Sequence, residues 1–252
     1  MNPAIQRIRL IAGQTAGEAL RHRLVLLLAA VAALLLFGSR WLREFNFGAA
    51  ELAFIGDFGL GVIGLMGTLV AALATAHLFF DDLAGAAACV LTRPVRRWEY
   101  IVGKLAGVAG LLALFTAALG ALLGALIFWR AQQLGVVPAA LPVFLTACAM
   151  QWMKFTLVTA MTLCVSAYAG SALFASCAGL MLAVIGHLRP FATGGLQWLR
   201  VWPNLGLFDA EALLGAGQPL TAAGLLSVTA YWLVCVVCLL GLASYAFKHR
   251  EF

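Results

Sequence analysis

Charge is what this sequence has least of. Asp, Glu, Lys and Arg make up 10% of its 252 residues, against roughly 25% in an ordinary soluble domain. So few charges cannot clothe a water-soluble surface, and with 64% hydrophobic residues and a mean hydropathy of +1.01 the chain is expected to be a polytopic membrane protein. About six spans and short loops use up the length, and no soluble catalytic domain is left over.

Catalytic sets are missing as well. The apolar runs hold no paired carboxylates, no Ser/His/Asp set and no H-E-x-x-H, so chemistry inside the membrane has no residues to rest on. A phosphate-cradling G-x-x-x-x-G-K-[ST] loop is also absent: Gly103-Lys104 lacks the earlier glycine and is followed by Leu105. The chain is therefore not expected to be an enzyme or to bind ATP itself. Cysteine is sparse, at 89, 148, 164, 177, 235 and 238, nearly always within apolar runs where a thiol packs as a small hydrophobe. No disulfide framework follows. Cys235 and Cys238 stand one turn apart in the last run, a spacing open to a soft metal but read here as packing, and His22, His77, His187 and His249 form no metal spacing. No metal or cofactor is expected in this chain. The net charge of +6 comes without any nucleic-acid-reading motif, so it is assigned to topology and anionic membrane lipid.

What remains is a series of apolar runs. Spans are expected at about 24–42, 58–80, 98–129, 139–167, 171–188 and 222–247, forming one transmembrane domain over residues 1–252. Ahead of the first, Ile5, Ile8, Ala12, Ala16 and Ala19 share one helical face while Arg7, Gln14, Glu18 and Arg21 lie opposite, which predicts an amphipathic helix at the membrane surface. Between residues 131 and 188 only Lys154 is charged, so that stretch must fold back once, and Tyr168-Ala169-Gly170-Ser171 is the place for the turn. Residues 189–221, with Trp198 and Trp202-Pro203, are too broken to span and are expected to lie in the interface or re-enter it.

Orientation follows from basic residues. With the N-terminus inside, ten Lys and Arg fall on cytoplasmic segments and five outside, which puts both termini in the cytoplasm. Lys154 belongs to neither group. A lysine in mid-span costs on the order of 2.5 to 3.5 kcal/mol to insert, so it either lines a pathway or subunit contact or sits nearer an interface.

Residues 81–104, DDLAGAAACVLTRPVRRWEYIVGK, lie between two uncharged runs and are too long for a tight turn. Asp81 and Asp82 suit a helix N-terminus, Leu83 and Val90 fall at helical spacing, and Pro94 is placed to open the next helix. Thr92-Arg93-Pro94-Val95-Arg96-Arg97-Trp98-Glu99-Tyr100 with Gly103-Lys104 resembles a pattern in permease subunits of type-2 ABC exporters. Asp57-Phe58-Gly59-Leu60, Ile185-Gly186-His187, Pro203-Asn204-Leu205-Gly206-Leu207-Phe208-Asp209 and the basic tail Phe247 to Phe252 resemble other segments of that family, so the likeness extends over nearly the whole chain. Relatives carry a second acid and a threonine where this chain has Leu83 and Ala86.

The resemblance implies an all-α membrane protein in which residues 81–97 form a cytoplasmic coupling segment, its helix ending before Pro94. It further implies ATP and Mg bound by two copies of a partner ATPase, a second permease subunit, equal or different, and residence in a bacterial inner membrane. The coupling residues would be Asp81, Asp82, Leu83, Val90, Arg93, Pro94, Arg96, Arg97 and Glu99. In this reading the charged ones face the cytoplasm, and Leu83 with Val90 offers an apolar edge to a groove on the ATPase. The alternative is a membrane anchor or assembly subunit of a respiratory or metalloenzyme-maturation complex, without transport of its own.

Overall fold

The computed structural model describes residues 3–38, 51–85, 96–136, 141–189, 202–209 and 221–249. All regular structure among them is helical: α1 Pro3–Arg21, α2 Arg23–Gly38, α3 Glu51–Gly85, α4 Arg97–Leu134, α5 Leu141–Tyr168, α6 Ala172–Leu188 and α7 Ala222–His249, with a single 3-10 turn at Leu205–Phe208. Four of these, α3, α4, α5 and α7, are long and apolar enough to cross a membrane, and the architecture is that of a helical membrane protein. The other two expected spans are shorter. Helix α2 has 16 residues and meets α1 at a 61° bend, and α6 has 17. At 1.5 Å per residue each is about 25 Å long, short of a hydrocarbon core of about 30 Å.

Helices α3 and α5 form the middle of the bundle. Helix α3 buries Leu60, Ile63, Val70, Ala71 and Ala72, and two of its glycines admit large neighbours, Gly59 facing Leu123 of α4 and Gly67 facing the ring of Phe155 of α5. Helix α5 buries a polar line, Gln151, Lys154, Thr156, Thr159, Thr162 and Ser166. Most of its hydroxyls bond back to their own helix, as in Thr162 to Val158 O at 2.9 Å and Ser166 to Thr162 O at 2.8 Å, which removes the cost of hiding them from water. Helix α7 is the most exposed of the long helices. The α5–α6 turn falls at Ala169–Ser171, where the Ser171 hydroxyl accepts the Phe174 N–H and caps α6.

Several expected boundaries are corrected. Asp81, Asp82 and Leu83 do not begin a separate helix; they lie in the last turns of α3, which runs unbroken to Gly85. No helix-breaking residue separates them from the apolar run before them, and Asp82 is drawn inward by partners on α4. Helix α4 starts at Arg97, with Arg96 as its cap, rather than at Pro94. It extends to Leu134, and Gly135, at φ 63°, closes it with its N–H directed to Ala131 O and Gln132 O.

The packed face of α1 is largely the expected one, with Ala19 buried and Ile8, Ala12 and Ala16 half-buried, but it also takes in Thr15 and Arg7 and leaves out Ile5, which is 56% exposed. The reason is a close approach to α4. A Cβ on Gly103 would lie 2.7 Å from Ile11, and one on Gly107 would lie 2.7 Å from the Ala12 carbonyl oxygen. The backbones can touch only because both positions are glycine.

Gly107 faces backbone, which cannot turn away as a side chain can, whereas Gly110 has nothing within 4 Å. Gly107→Ala should therefore lift α1 off α4, cost about 1 to 3 kcal/mol and raise tryptic cleavage at Arg21. Gly110→Ala should change neither thermal unfolding nor cleavage.

Candidate functional site

Two groups of polar residues stand out from the apolar bundle. The first lies where α1, the end of α3, the start of α4 and the end of α7 meet. Lys104, 2% exposed, binds Asp82 at 2.7 Å and donates to the Leu78 carbonyl at 2.9 Å. The Tyr100 hydroxyl donates to the same Asp82 oxygen at 2.9 Å. Phe79, Tyr100 and Phe247 pack ring to ring, with centroids 5.6 to 6.3 Å apart, and Arg97 donates to the Phe247 carbonyl at 2.9 Å. Glu99 accepts from the Arg96 backbone N–H at 3.2 Å and from Arg7 at 3.3 Å. One carboxylate thus caps α4 and pins α1.

The expected coupling residues divide accordingly. Asp81 and Arg96 are exposed, and so is Trp98, at 42%. Arg97 is exposed yet tied to α7. Leu83 is half-buried against the Phe79–Phe247 cluster. Asp82 is engaged by α4, and Glu99, expected to face the cytoplasm, is 2% exposed beneath α1. Val90, Arg93 and Pro94 lie outside the described residues. Lys104 was visible only as the end of a motif, because its burial depends on where Asp82 and the α3 carbonyls fall.

The second group centres on Lys154. It lies midway along the 28-residue α5, about 20 Å from either end at 1.5 Å per residue, and is 4% exposed, turned into the bundle. Its ammonium meets Asp209 Oδ1 at 2.8 Å, and His187 Nε2 stands 3.7 Å from the same oxygen. Helix α6 ends at this level, and the segment Trp202–Asp209 packs in beyond it. Leu205 and Phe208 are fully buried, Trp202 donates to Leu182 O at 3.1 Å, and the Asn204 N–H donates to the Tyr231 hydroxyl at 2.8 Å. Gly186 permits the approach, since a Cβ there would lie 2.8 Å from Leu205. Asp209 and His187 were not recognisable as partners of Lys154, because 55 and 33 residues separate them in sequence.

Beside this cluster is a cavity of about 600 Å³ between α3, α5 and α6, with Lys154, His187 and Asp209 on its wall. Gln151, fully buried, has neither amide atom hydrogen-bonded among the described residues. Its Oε1 and the Lys154 ammonium both end at Gly64, each 3.3 Å from where a Cβ would be. No group of three or more His, Cys, Asp or Glu able to hold a metal occurs among the described residues. No family model and no curated protein matches this chain.

Burial works to raise the Asp209 carboxyl, but His187 and Lys154 outweigh it and hold the group below the ordinary carboxylate range. A carboxyl lowered in the folded state contributes stability above its unfolded value of about 3.9 and loses it as pH falls through the lower native value. Asp209→Asn should thus lower the thermal midpoint at neutral pH. The cost should be about 1 to 3 kcal/mol, less than for breaking a fully buried pair because Asp209 is 39% exposed. The gap to wild type should close as pH is lowered past about 4, and scanning calorimetry in detergent from about pH 3 to 8 checks both.

Proposed function

We propose that this chain is the transmembrane permease subunit of an ATP-driven exporter of the type-2 ABC class. In this reading it pairs with a second permease subunit, equal or different, to form the pathway in a bacterial inner membrane, with both termini in the cytoplasm. ATP and Mg are bound and hydrolysed by two separate ATPase subunits. Six membrane passages are retained, with α2 and α6 as the short ones.

The observation that carries the reading is the meeting at one end of the bundle of α1, Asp82, Lys104, Glu99, Arg97 and Phe247, all in or beside the stretch that resembles the family's coupling element. A push there is delivered to α4, 38 residues long, and through paired charges to α1 and α3. Packed helices joined in this way move as rigid bodies rather than deform. Arg130 and Glu51, bonded at 2.7 and 3.0 Å, tie α4 to α3 again at the opposite end, so both helices would shift together. Among the described residues, Asp81, Arg96, Arg97 and Trp98 are exposed at the proposed contact.

Charges on the rim of a contact guide encounter, while buried apolar anchors supply most of the affinity. In pull-downs from detergent extract, Leu83→Asp with Val90→Asp should abolish ATPase recovery, whereas Arg96→Ala should only weaken it. Trp98→Ala, which removes an exposed ring and leaves the core alone, should reduce affinity at least about tenfold. Full recovery with both apolar variants, in protein that still inserts, would shift the assignment to an anchor or assembly subunit.

Accessibility tags test the orientation separately. Labels at the N-terminus, near Arg96 and at Phe252 should report cytoplasm, and labels near Asn46 and Asn204 the outside; a reversed result at any of these removes a passage.

A further inference from the structure

Three polar atoms of α5 converge on Gly64 of α3. The position a Cβ would take there lies 3.3 Å from Gln151 Oε1, 3.3 Å from Lys154 Nζ and 3.5 Å from Gln151 Nε2. Gln151 is fully buried, and neither atom of its amide has a hydrogen-bond partner among the described residues. Lys154 carries three N–H groups, and its one hydrogen bond among those residues goes to Asp209. The two side chains thus face the same point without bonding to each other, which is the arrangement expected where a small molecule bridges them.

Hydrogen-bond chemistry decides what fits there. The Lys154 ammonium and Gln151 Nε2 only donate, whereas Gln151 Oε1 only accepts, so the bridging group must accept and donate at once. A bare carboxylate or phosphate has no hydrogen for Oε1, a metal ion accepts nothing from an ammonium, and the Lys154 charge is already matched by Asp209 at 2.8 Å. Water does both. A route to it exists, since Gly64 and Lys154 also line the cavity between α3, α5 and α6, with His187 and Asp209 further along its wall. The side chains of His187 and Asp209 are 36% and 39% exposed, and a charged group facing hydrocarbon is expensive, so this wall favours water over lipid. About 600 Å³ is ample for several molecules, each of which takes about 30 Å³.

We propose that the cavity is an aqueous inlet: water fills it from the end of α6, passes Lys154 and reaches Gly64, where Gln151 and Lys154 hold an ordered molecule. Because Lys154 lies midway along α5, water attains the middle of the bundle by this route and the ammonium stays hydrated there. The assignment is independent of the exporter reading, because it concerns this chain alone.

The test of the inlet treats the full-length chain in lipid vesicles with a charged, water-soluble methanethiosulfonate and reads the modified cysteines by peptide mass spectrometry. Thr68→Cys, on the cavity wall one turn from Gly64, should react at least about tenfold faster than the native Cys238, exposed on the apolar α7, because the reactive thiolate forms in water and not in apolar surroundings. Equal rates would overturn the inlet. Gly64→Ala tests the ordered molecule. Alanine for glycine ordinarily favours a helix, but here the methyl group takes the place of water, so the thermal midpoint should fall, and adding Gln151→Leu should restore part of it by removing the stranded amide. A higher midpoint for Gly64→Ala, or a double variant no more stable than the single one, would reject the bridging water. Where either variant does not fold, a crystal structure of the unaltered chain grown from a lipidic mesophase decides. Density at hydrogen-bond distance from both Gln151 and Lys154 is expected; none there, or density of a larger ligand, overturns the assignment.

Discussion

A cation held in the middle of a membrane-spanning helix must be paired, and much of this molecule is arranged around that requirement at Lys154. Its only carboxylate partner among the described residues, Asp209, comes from a segment outside the spanning helices. Reaching it brings Leu205 and Phe208 into the core and requires Gly186 to yield room. Helix α6 stops at the same level, so His187 completes the cluster instead of a further turn of helix. The backbone of the entering segment is satisfied locally, by the Asn204 side chain on the Gly206 N–H and by the Tyr231 hydroxyl, as non-helical chain inside a bundle must be.

The same constraint acts at the end of the bundle where the chain's basic residues collect, with a different result. Lys104 is as buried as Lys154, but its partners Asp82, the Leu78 carbonyl and the Tyr100 hydroxyl join two long helices that already touch. Glu99 does the same for α1. There the charges act as fasteners, and among the described residues Asp81, Arg96, Arg97 and Trp98 are exposed beside them. At Lys154 the polar groups exceed their partners and a cavity opens beside them. One arrangement fastens helices to one another, the other leaves polar groups beside open space.

Much of the helical layout could be read directly from residue order, because apolar runs and turn residues act locally. The scarcity of charge set the class, and Gly170-Ser171 marked the turn between α5 and α6. Helix ends were less legible where pairing across helices decided them. Asp81 and Asp82 have the chemistry of a helix start, yet Lys104 and Tyr100 hold Asp82 at the end of α3. One residue of α1 was misplaced for a similar reason: Arg7 belongs to the packed side once Glu99 is there to receive it.

By itself, then, the sequence determined that the chain is helical and built for a membrane, where its main turn lies, and that Lys154 was an expensive residue needing an explanation. Those properties depend on composition and on neighbours within a turn or two. Only the tertiary structure decided that Lys154 meets Asp209 and His187, that Gln151 is left without a partner among the described residues, and that Glu99 is buried beneath α1. Each of these depends on groups far apart in the chain, and electrostatic pairing acts over a few ångströms of space whatever the separation in sequence.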